Sequence, residues 1–258
     1  MVITDKRHNS QLMLDGFTLA DMEREAIAYL RLHEPAEGYE VGFSGGKDSI
    51  VTLDLVRRSG VKHHAHFAMS YIDPPEVLNF IKQNYPSVEW RRPKVNIYHA
   101  ILTSGLPSWK HRWCCELIKE NKNDKNVVTG VRAEESQRRA SKPRTDFWQK
   151  KKLMMYKPVF YWKECAIWEY LEKYKIPYPS LYEDWGRIGC IVCPLSFSPS
   201  KATHERIKKS QERWPGVWRA YKDAARKYFY MSYQPRKNTY YKTFDDLWSA
   251  FLDGFRRS

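Results

Sequence analysis

The chain has 258 residues, of which 42% are hydrophobic, so it is long enough and apolar enough to bury a core in one or two globular domains. It contains no run of about 18 or more apolar residues, which argues against a membrane-spanning helix. The first ten residues lack the apolar segment of a secretory signal. We therefore expect a cytoplasmic protein that makes no contact with a membrane.

The formal net charge is +14, and it is concentrated in two segments. Segment 138–152 has seven basic residues against one acidic residue, and segment 199–258 has 14 Lys and Arg against six Asp and Glu. Such segments can simply form solvated surface. Because the basic residues are clustered, we favour a polyanionic partner such as DNA or tRNA.

Apolar periodicity predicts helices that alternate with short strands along most of the chain. The helices are predicted over 17–33, 48–58, 75–84, 97–104 and 163–174, and the strands over 39–43, 62–71, 88–95 and 126–132. This alternation predicts an α/β fold with a mostly parallel, doubly wound sheet covered on both faces. From residue 199 onward the pattern is helical, basic and aromatic. The predicted division is a helical segment 1–37, a nucleotide-binding domain 38–198 and a helical region 199–258.

A glycine-rich loop, Ser44–Ser49, joins the first predicted strand to the next helix. Gly45 and Gly46 allow the backbone to approach an anion closely, and the first amides of the helix then point at phosphate. Lys47 adds a positive charge. The loop lacks the glycine spacing of a Walker motif, and Asp48 follows the lysine. The alternative is an ordinary glycine turn that begins a helix.

Four of the five cysteines form two close pairs, Cys114-Cys115 and Cys190-x-x-Cys193. Adjacent cysteines converge poorly on one zinc ion, whereas the separated corners of a [4Fe–4S] cluster suit them. We therefore predict a cluster on these four residues, with zinc or free thiols as alternatives. Cys165 follows the apolar pattern of its helix and is predicted to be a buried small hydrophobe, with a sulfur relay as the alternative.

Several motifs in order resemble the phosphoadenosine-phosphosulfate reductase family of the adenine nucleotide α-hydrolase-like (PP-loop) superfamily. They span about residues 38–197 and comprise Ser-Gly-Gly-Lys-Asp-Ser (44–49), Tyr-Ile-Asp (71–73), Arg-Trp-Cys-Cys (112–115), Thr-Gly-Val-Arg-Ala-Glu-Glu-Ser (129–136), Pro-Val-Phe-Tyr-Trp (158–162), Pro-Tyr-Pro-Ser-Leu-Tyr (177–182) and Gly-Cys-Ile-Val-Cys (189–193). Tandem cysteines with Cys-x-x-Cys also resemble the cluster-bearing members of this family.

The resemblance implies a bound adenine nucleotide, such as ATP, with attack at its α-phosphorus. In this family resemblance, phosphate would be held by Ser44, Gly45, Gly46, Lys47, Asp48 and Ser49. Asp73 would contact the nucleoside, and Gly130 and Arg132 would face the same pocket. Lys47, Asp48 and Arg132 would be catalytic, with Asp48 assisting a Mg²⁺ ion. The alternative for Arg132, with Glu134 and Glu135, is a salt-bridged helix start.

The sequence departs from the sulfonucleotide reductases, because no cysteine follows Cys193 to act as their C-terminal nucleophile. The same region carries aromatic residues among basic ones, which predicts stacking on exposed bases; the alternative is a helical core. These aromatics are Trp214, Trp218, Tyr221, Tyr228, Phe229, Tyr230, Tyr233, Tyr240 and Tyr241.

This combination resembles the sulfur-activating enzymes of DNA phosphorothioation systems. It implies an AMP-forming, pyrophosphate-releasing sulfurtransferase that modifies DNA or tRNA and receives sulfur from a cysteine desulfurase or another donor. Two alternatives stay open: a sulfonucleotide reductase that uses an external thiol, and a non-catalytic nucleic-acid-binding module. A homo-oligomer is compatible with each of them.

Overall fold

The computed structural model describes residues 17–119, 124–236 and 239–256. Its strands are β1 (Tyr39–Gly42), β2 (His63–Ala68), β3 (Glu89–Arg91), β4 (Asn126–Val128), β5 (Thr145–Trp148) and β6 (Leu153–Tyr156). Its α-helices are α1 (Leu19–Leu32), α2 (Lys47–Ser59), α3 (Pro75–Asn84), α4 (Ile97–Ser104), α5 (Gln137–Ala140), α6 (Glu164–Lys173), α7 (Leu181–Asp184), α8 (Lys201–Arg213), α9 (Pro215–Tyr228) and α10 (Phe244–Leu252).

The six strands form one sheet in the order β3-β2-β1-β4-β6-β5. Strand β1 pairs in parallel with β2 and β4, and β4 pairs in parallel with β6, whereas β5 is antiparallel to β6. The predicted mostly parallel α/β sheet is therefore confirmed. From β1 the chain continues to β2 and β3 on one side of β1, and it then returns to form β4 on the other side, so the loop after β1 lies where ligands bind in such sheets.

The β5–β6 pair is an element that the sequence analysis missed. Residues 138–152 were predicted only as a basic segment, and yet Thr145–Trp148 is an edge strand. The strand pattern is hard to recognise in the sequence because the lysines at positions 150–152 form the connection between the two strands. A charged edge is also a common protection against edge-to-edge aggregation.

The chain divides into two compact units that differ from the predicted domain boundaries. The first unit comprises Met1–Phe67, Glu76–Arg91 and Asn121–Gly186, and it contains the sheet. In it, helices α1, α2 and α6 pack on one another. The predicted boundaries after residues 37 and 198 do not separate these units, because a contiguous division cannot describe a chain that leaves and re-enters each unit.

The second unit comprises Ala68–Pro75, Arg92–Glu120 and Arg187–Ser258. Helix α9 packs against α4, and the aromatic rings of the helical region form its core. For example, Tyr221 and Phe251 stack with ring centroids 5.7 Å apart. In the described part of the chain, no helix combines the length and the apolarity needed to cross a bilayer.

Candidate functional site

The loop between β1 and α2 has the geometry of an anion-binding turn. Gly45 has a φ of +71°, and a Cβ there would lie 2.8 Å from the Ile81 side chain, so both conformation and space require glycine. Gly46 is the N-cap of α2 and has no side chain to occupy the first amides of the helix. The Ser49 hydroxyl donates to the Gly46 carbonyl at 2.8 Å and closes the turn. The first amides of α2 therefore form a potential phosphate cradle.

The end of β4 lies directly against this loop. A Cβ on Gly130 would lie 2.6 Å from the Asp48 carbonyl oxygen, so only glycine allows the two backbones to approach so closely. The neighbouring Thr129 hydroxyl is buried, and within the described ranges it has no hydrogen-bond partner. Thr129 was part of a sequence motif but received no predicted role. An orphaned buried hydroxyl beside the cradle is available to a ligand.

Two cations of this unit meet at the carboxylate of Asp48. The Arg132 Nε donates to Asp48 Oδ1 at 2.5 Å, and Lys47 Nζ lies 3.4 Å from Asp48 Oδ2. The side chains of Lys47 and Arg132 are only 7% and 4% exposed. The Asp48 carboxylate raises the pKa of Arg132 despite burial, which opposes it, so the guanidinium stays charged. The structure thus brings together all three residues that were predicted to be catalytic.

Two further carboxylates, which the sequence analysis left out of the predicted site, neutralise these cations. Glu164 Oε1 lies 3.2 Å from Lys47 Nζ, and Glu134 Oε2 accepts from the Arg132 guanidinium at 2.5 Å. Three carboxylates against two cations leave a net charge of −1, so a phosphate must displace some of them. The salt-bridged alternative for Arg132 and Glu134 is therefore present in this state. It does not conflict with phosphate binding, because both glutamates are about half exposed and can turn to solvent.

The predicted role of Asp48 as a Mg²⁺ ligand does not fit this arrangement. Both of its carboxylate oxygens face cationic side chains, and magnesium ligands are oxygens that are free to face the ion. Asp48 instead orients Lys47 and Arg132 toward the loop. No step is therefore assigned to a magnesium ion held by this residue.

Aromatic side chains close the loop on one side. The Tyr182 hydroxyl accepts the Lys47 backbone N–H at 2.9 Å, which is an amide that a phosphate oxygen would use. The Tyr182 and Trp168 rings lie 5.3 and 5.7 Å from Lys47 Nζ. The sequence motif 177–182 was recognised, but no role in the site was predicted for it. Tyr182 takes the place of a ligand oxygen on this amide.

Glu164→Gln should strengthen phosphate binding, because it removes the carboxylate that competes for Lys47. An ion pair that is half exposed contributes about 0.2–1 kcal/mol, so we expect affinity for inorganic pyrophosphate to rise by at most about fivefold. Isothermal titration calorimetry at low salt measures this change. The matched control is Glu169→Gln on an exposed position of the same helix. Weaker binding in the Glu164 variant would mean that the carboxylate orients the lysine instead.

The four paired cysteines all belong to the second unit, and their thiols interact. A hydrogen bond with Cys115 raises the pKa of the Cys114 thiol, burial adds to this, and Cys190 and Cys193 raise it further by their negative charge when ionised. The Cys190 loop is fixed by the Ile191 N–H, which donates to the Ile72 carbonyl at 2.8 Å. Thiols this close together ionise jointly only when a cation or a cationic cluster core offsets the charge of the thiolates.

Two buried donors beside these thiols fit an anionic, sulfur-rich group. The Tyr221 hydroxyl and the Trp113 indole N–H are buried, and neither has a hydrogen-bond partner in the described part of the chain. Burial raises the pKa of Tyr221, and the thiols of Cys114, Cys193 and Cys190 raise it further, which places the phenol near them. Sulfur atoms of an iron–sulfur cluster accept such hydrogen bonds. The residues present therefore fit a cluster on Cys114, Cys115, Cys190 and Cys193.

Asp73 lies in the second unit, where its carboxylate accepts the Ser70 N–H at 2.6 Å and holds the turn after β2. The predicted contact of Asp73 with a nucleoside therefore stays a prediction.

The prediction that Cys165 is buried was wrong, because its side chain is exposed. Ala166, Ile167, Tyr170 and Leu171 form the buried face of α6, and Cys165 lies on the opposite face.

Most of the aromatic residues that were predicted to stack on bases are core residues instead. The side chains of Trp214, Trp218, Tyr221, Tyr228 and Phe229 are buried. The reason is the helical spacing of α9, which turns Trp218, Tyr221, Ala225 and Tyr228 to one face. Among the others, Tyr230 and Tyr240 are 54% and 83% exposed.

Several known proteins are similar to this chain in sequence. An uncharacterized protein of Methanocaldococcus jannaschii is 31% identical over 219 residues, which is 77% of this chain but 45% of that protein. The chain therefore spans less than half the length of this relative. Adenosine 5'-phosphosulfate reductase 2 of Bacillus subtilis is 25% identical over 166 residues, covering 59% of this chain and 70% of that enzyme.

Two solved structures share the fold, each at 16% identity and a TM-score of 0.50. One is the phosphoadenylyl-sulfate reductase of Candida auris in a phosphate complex, which covers 74% of this chain and 98% of that one. The other is yeast FAD synthetase in complex with FAD, with 82% of each chain covered. The model of the phosphoadenosine phosphosulfate reductase domain matches residues 39–196. The chain thus belongs to the phosphoadenosine phosphosulfate reductase family.

Proposed function

We propose that this enzyme uses ATP to adenylylate an acceptor and then replaces the activated oxygen with sulfur, with nucleic acid as the acceptor. The observation that carries the proposal is the meeting of Lys47 and Arg132 at the amide cradle of Ser44–Ser49. Such a site stabilises the charge that develops on phosphate oxygens when the bond between the α- and β-phosphates breaks.

In the proposed reaction an acceptor oxygen attacks the α-phosphorus, and pyrophosphate leaves with the bridging oxygen. Sulfur at the oxidation level of sulfide then attacks the atom that carries the adenylylated oxygen, and AMP departs with that oxygen. The loop amides and Lys47 bind the pyrophosphate portion, and Arg132 neutralises developing charge near it. Glu134 and Glu164 balance the cations before ATP arrives. A cysteine desulfurase would deliver the sulfur as a persulfide, and an external dithiol reductant, which is oxidised to a disulfide, would bring it to the sulfide level.

The cysteine set supports the sulfur half of the proposal. Cys114, Cys115, Cys190 and Cys193 would hold a [4Fe–4S] cluster, with Tyr221 donating a hydrogen bond toward it. A bound cluster would supply a site that accepts and releases reduced sulfur. With zinc instead, the site would be structural.

A cleft in the second unit supports a nucleic-acid acceptor. Its volume is about 260 Å³, and the basic side chains of Arg219 and Lys222 line it beside the buried Trp218 and Trp248. A concave surface with two positive charges suits the phosphates of a nucleic acid. Arg219→Ala with Lys222→Ala should weaken binding of single-stranded DNA or tRNA and reduce its salt dependence. Unchanged binding would remove this surface from the proposal.

Sulfonucleotide reduction is the second candidate, and the names of the relatives favour it. Several of the similar bacterial proteins are adenosine 5'-phosphosulfate reductases. Within these 258 residues no cysteine follows Cys193, so this reaction would draw its nucleophilic thiol from another protein. The binding of an adenylyl sulfate on the same amide cradle would be shared by both candidates.

The products separate the two candidates. The protein is incubated anaerobically with labelled ATP, DNA or tRNA, a desulfurase, cysteine and a dithiol reductant, and in parallel with adenosine 5'-phosphosulfate and thioredoxin. The proposal predicts AMP and pyrophosphate in equal amounts, with sulfur in the nucleic acid. Release of sulfite from the sulfonucleotide, without AMP formation from ATP, would establish the reductase instead.

Cys190→Ser should abolish the cluster, because a [4Fe–4S] core loses one of its four thiolate corners. Iron and acid-labile sulfide are assayed after anaerobic purification, and we expect about four of each in the wild-type protein and a large loss in the variant. Cys165→Ser is the matched control, since Cys165 is exposed and lies in the other unit. Colourless wild-type protein that contains zinc would contradict the cluster, and lost sulfur insertion in Cys165→Ser would restore the relay role.

A further inference from the structure

Three metal-ligand side chains lie on one face of strands β1 and β2, outside the site described above. Glu40 pairs in register with His64, and His66 follows two residues later on the same face. The nearest donor atoms of the three residues lie within 4.8 Å of one another. Opposite His66 in the register is Gly42, which has no side chain to fill the space between the strands. The sequence analysis assigned nothing to these residues.

The separations are those of a coordination sphere. Glu40 Oε2 lies 3.2 Å from the Nδ1 atoms of both His64 and His66. Tetrahedral bonds of about 2.0–2.1 Å place neighbouring donor atoms about 3.3 Å apart. The Arg91 guanidinium lies 2.8 Å from Glu40 Oε2 and 3.4 Å from His64 Nδ1, so it withdraws from these two atoms when an ion binds.

Each ring has a carboxylate near its other nitrogen. His64 Nε2 lies 3.6 Å from Glu89, and His66 Nε2 lies 3.7 Å from Asp124. A metal-bound histidine usually presents its second ring nitrogen to a carboxylate in this way, which leaves the first nitrogen unprotonated for the ion. The carboxylate near the Nε2 atom of each histidine is a second observation, separate from the short distances between Glu40 Oε2 and the two Nδ1 atoms.

The local charge also favours a divalent cation. Arg91 is the basic partner of the carboxylates of Glu40, Glu89 and Asp124, at 2.8, 2.8 and 2.9 Å. Three negative charges against one positive charge leave −2 when the rings are neutral.

We propose that Glu40, His64 and His66 bind a divalent transition-metal ion of the zinc type, with water as the remaining ligand. Two imidazoles and one carboxylate are donors that such ions prefer over Mg²⁺ or Ca²⁺. Glu40 and His64 are the second residues of their strands, whereas Ser44–Ser49 follows the carboxyl end of β1. The ion cross-links β1 to β2 at a place distinct from the phosphate cradle.

Zinc titration tests the proposal on the full chain that carries Cys190→Ser and Cys193→Ser, so that Cys114 and Cys115 cannot form a four-thiolate site for the ion. After treatment with a chelator, isothermal titration calorimetry should give one equivalent of bound Zn²⁺, and Zn²⁺ should raise the Tm. Adding His64→Ala should weaken Zn²⁺ binding by more than about 100-fold. Substituting a residue that only contacts a metal ligand already weakens metal affinity by about 10–100-fold. Co²⁺ should give tetrahedral absorption bands without a thiolate charge-transfer band.

His63→Ala is the matched control, because it removes a histidine from the neighbouring position, whose side chain points to the opposite face of β2. It should leave Zn²⁺ affinity unchanged. His64 is 51% exposed, so its substitution should not unfold the protein, and far-ultraviolet circular dichroism verifies this. Either of two results would overturn the proposal: no saturable Zn²⁺ binding, or equal affinity in the His64 and His63 variants.

Discussion

Lys47→Met should lower pyrophosphate release from ATP by about 10²–10³-fold, which is the usual loss when one preorganised charge donor is removed from a developing anion. The lysine side chain is 7% exposed and is held between Asp48 and Glu164, so its position is fixed before ATP binds. Methionine retains the aliphatic stem that packs beside Trp168 and Tyr182 and removes only the charge. Single-turnover assays with labelled ATP measure the chemical step directly.

The control for Lys47→Met is Lys82→Met, which removes an exposed lysine near the end of α3. It should leave pyrophosphate release within about twofold of the wild-type rate, since surface substitutions away from special features change little. The Lys47 variant should keep its thermal unfolding transition, because the loss is of function and not of packing. A Lys47 variant with the wild-type rate would remove the lysine from the reaction.

Gly130→Ala should abolish nucleotide turnover and lower the free energy of unfolding by about 1–3 kcal/mol, the usual cost of an overpacked contact. The added Cβ would lie 2.6 Å from the Asp48 carbonyl oxygen and 3.0 Å from the Ser49 amide nitrogen. Because both neighbours are backbone atoms at the start of α2, they cannot turn away as a side chain would. The loop and the end of β4 must separate, and Arg132 then moves away from Asp48.

Gly186→Ala is the matched control in the same unit, because a Cβ there meets no atom within 4 Å. Its unfolding free energy in urea should differ from the wild-type value by less than about 0.5 kcal/mol. Turnover in this control should also be unchanged. If Gly130→Ala kept full activity, the close approach of β4 to the loop would have no part in nucleotide binding.

The sequence predicted four of the six strands and five of the ten α-helices in the described ranges, because the apolar periods of these elements are regular. The α2 helix, the β1 strand and the loop between them were all predicted within one or two residues of their observed positions. The family resemblance also predicted that Arg132 belongs to the site, although it lies about 80 residues beyond the loop in sequence. A local pattern cannot predict such a pairing, since only the order of the strands brings the end of β4 next to the end of β1.

The features that the sequence did not predict depend on tertiary contacts. Glu164, Tyr182 and Thr129 enter the site because of where their elements pack, and no spacing along the chain relates them to Lys47. The aromatic helical region was misjudged for a related reason. Composition alone does not distinguish a ring such as Tyr221, which is fully buried, from Tyr240, which is 83% exposed.

A crystal structure of the full chain with a non-hydrolysable ATP analogue tests the central claim most directly. The account predicts the β- and γ-phosphates on the amides of residues 45–49, with the Lys47 ammonium on phosphate, and the Tyr182 hydroxyl displaced from the Lys47 amide. The contrary result is a bound analogue elsewhere on the chain, with Tyr182, Glu164 and Asp48 still occupying the loop as they do without nucleotide.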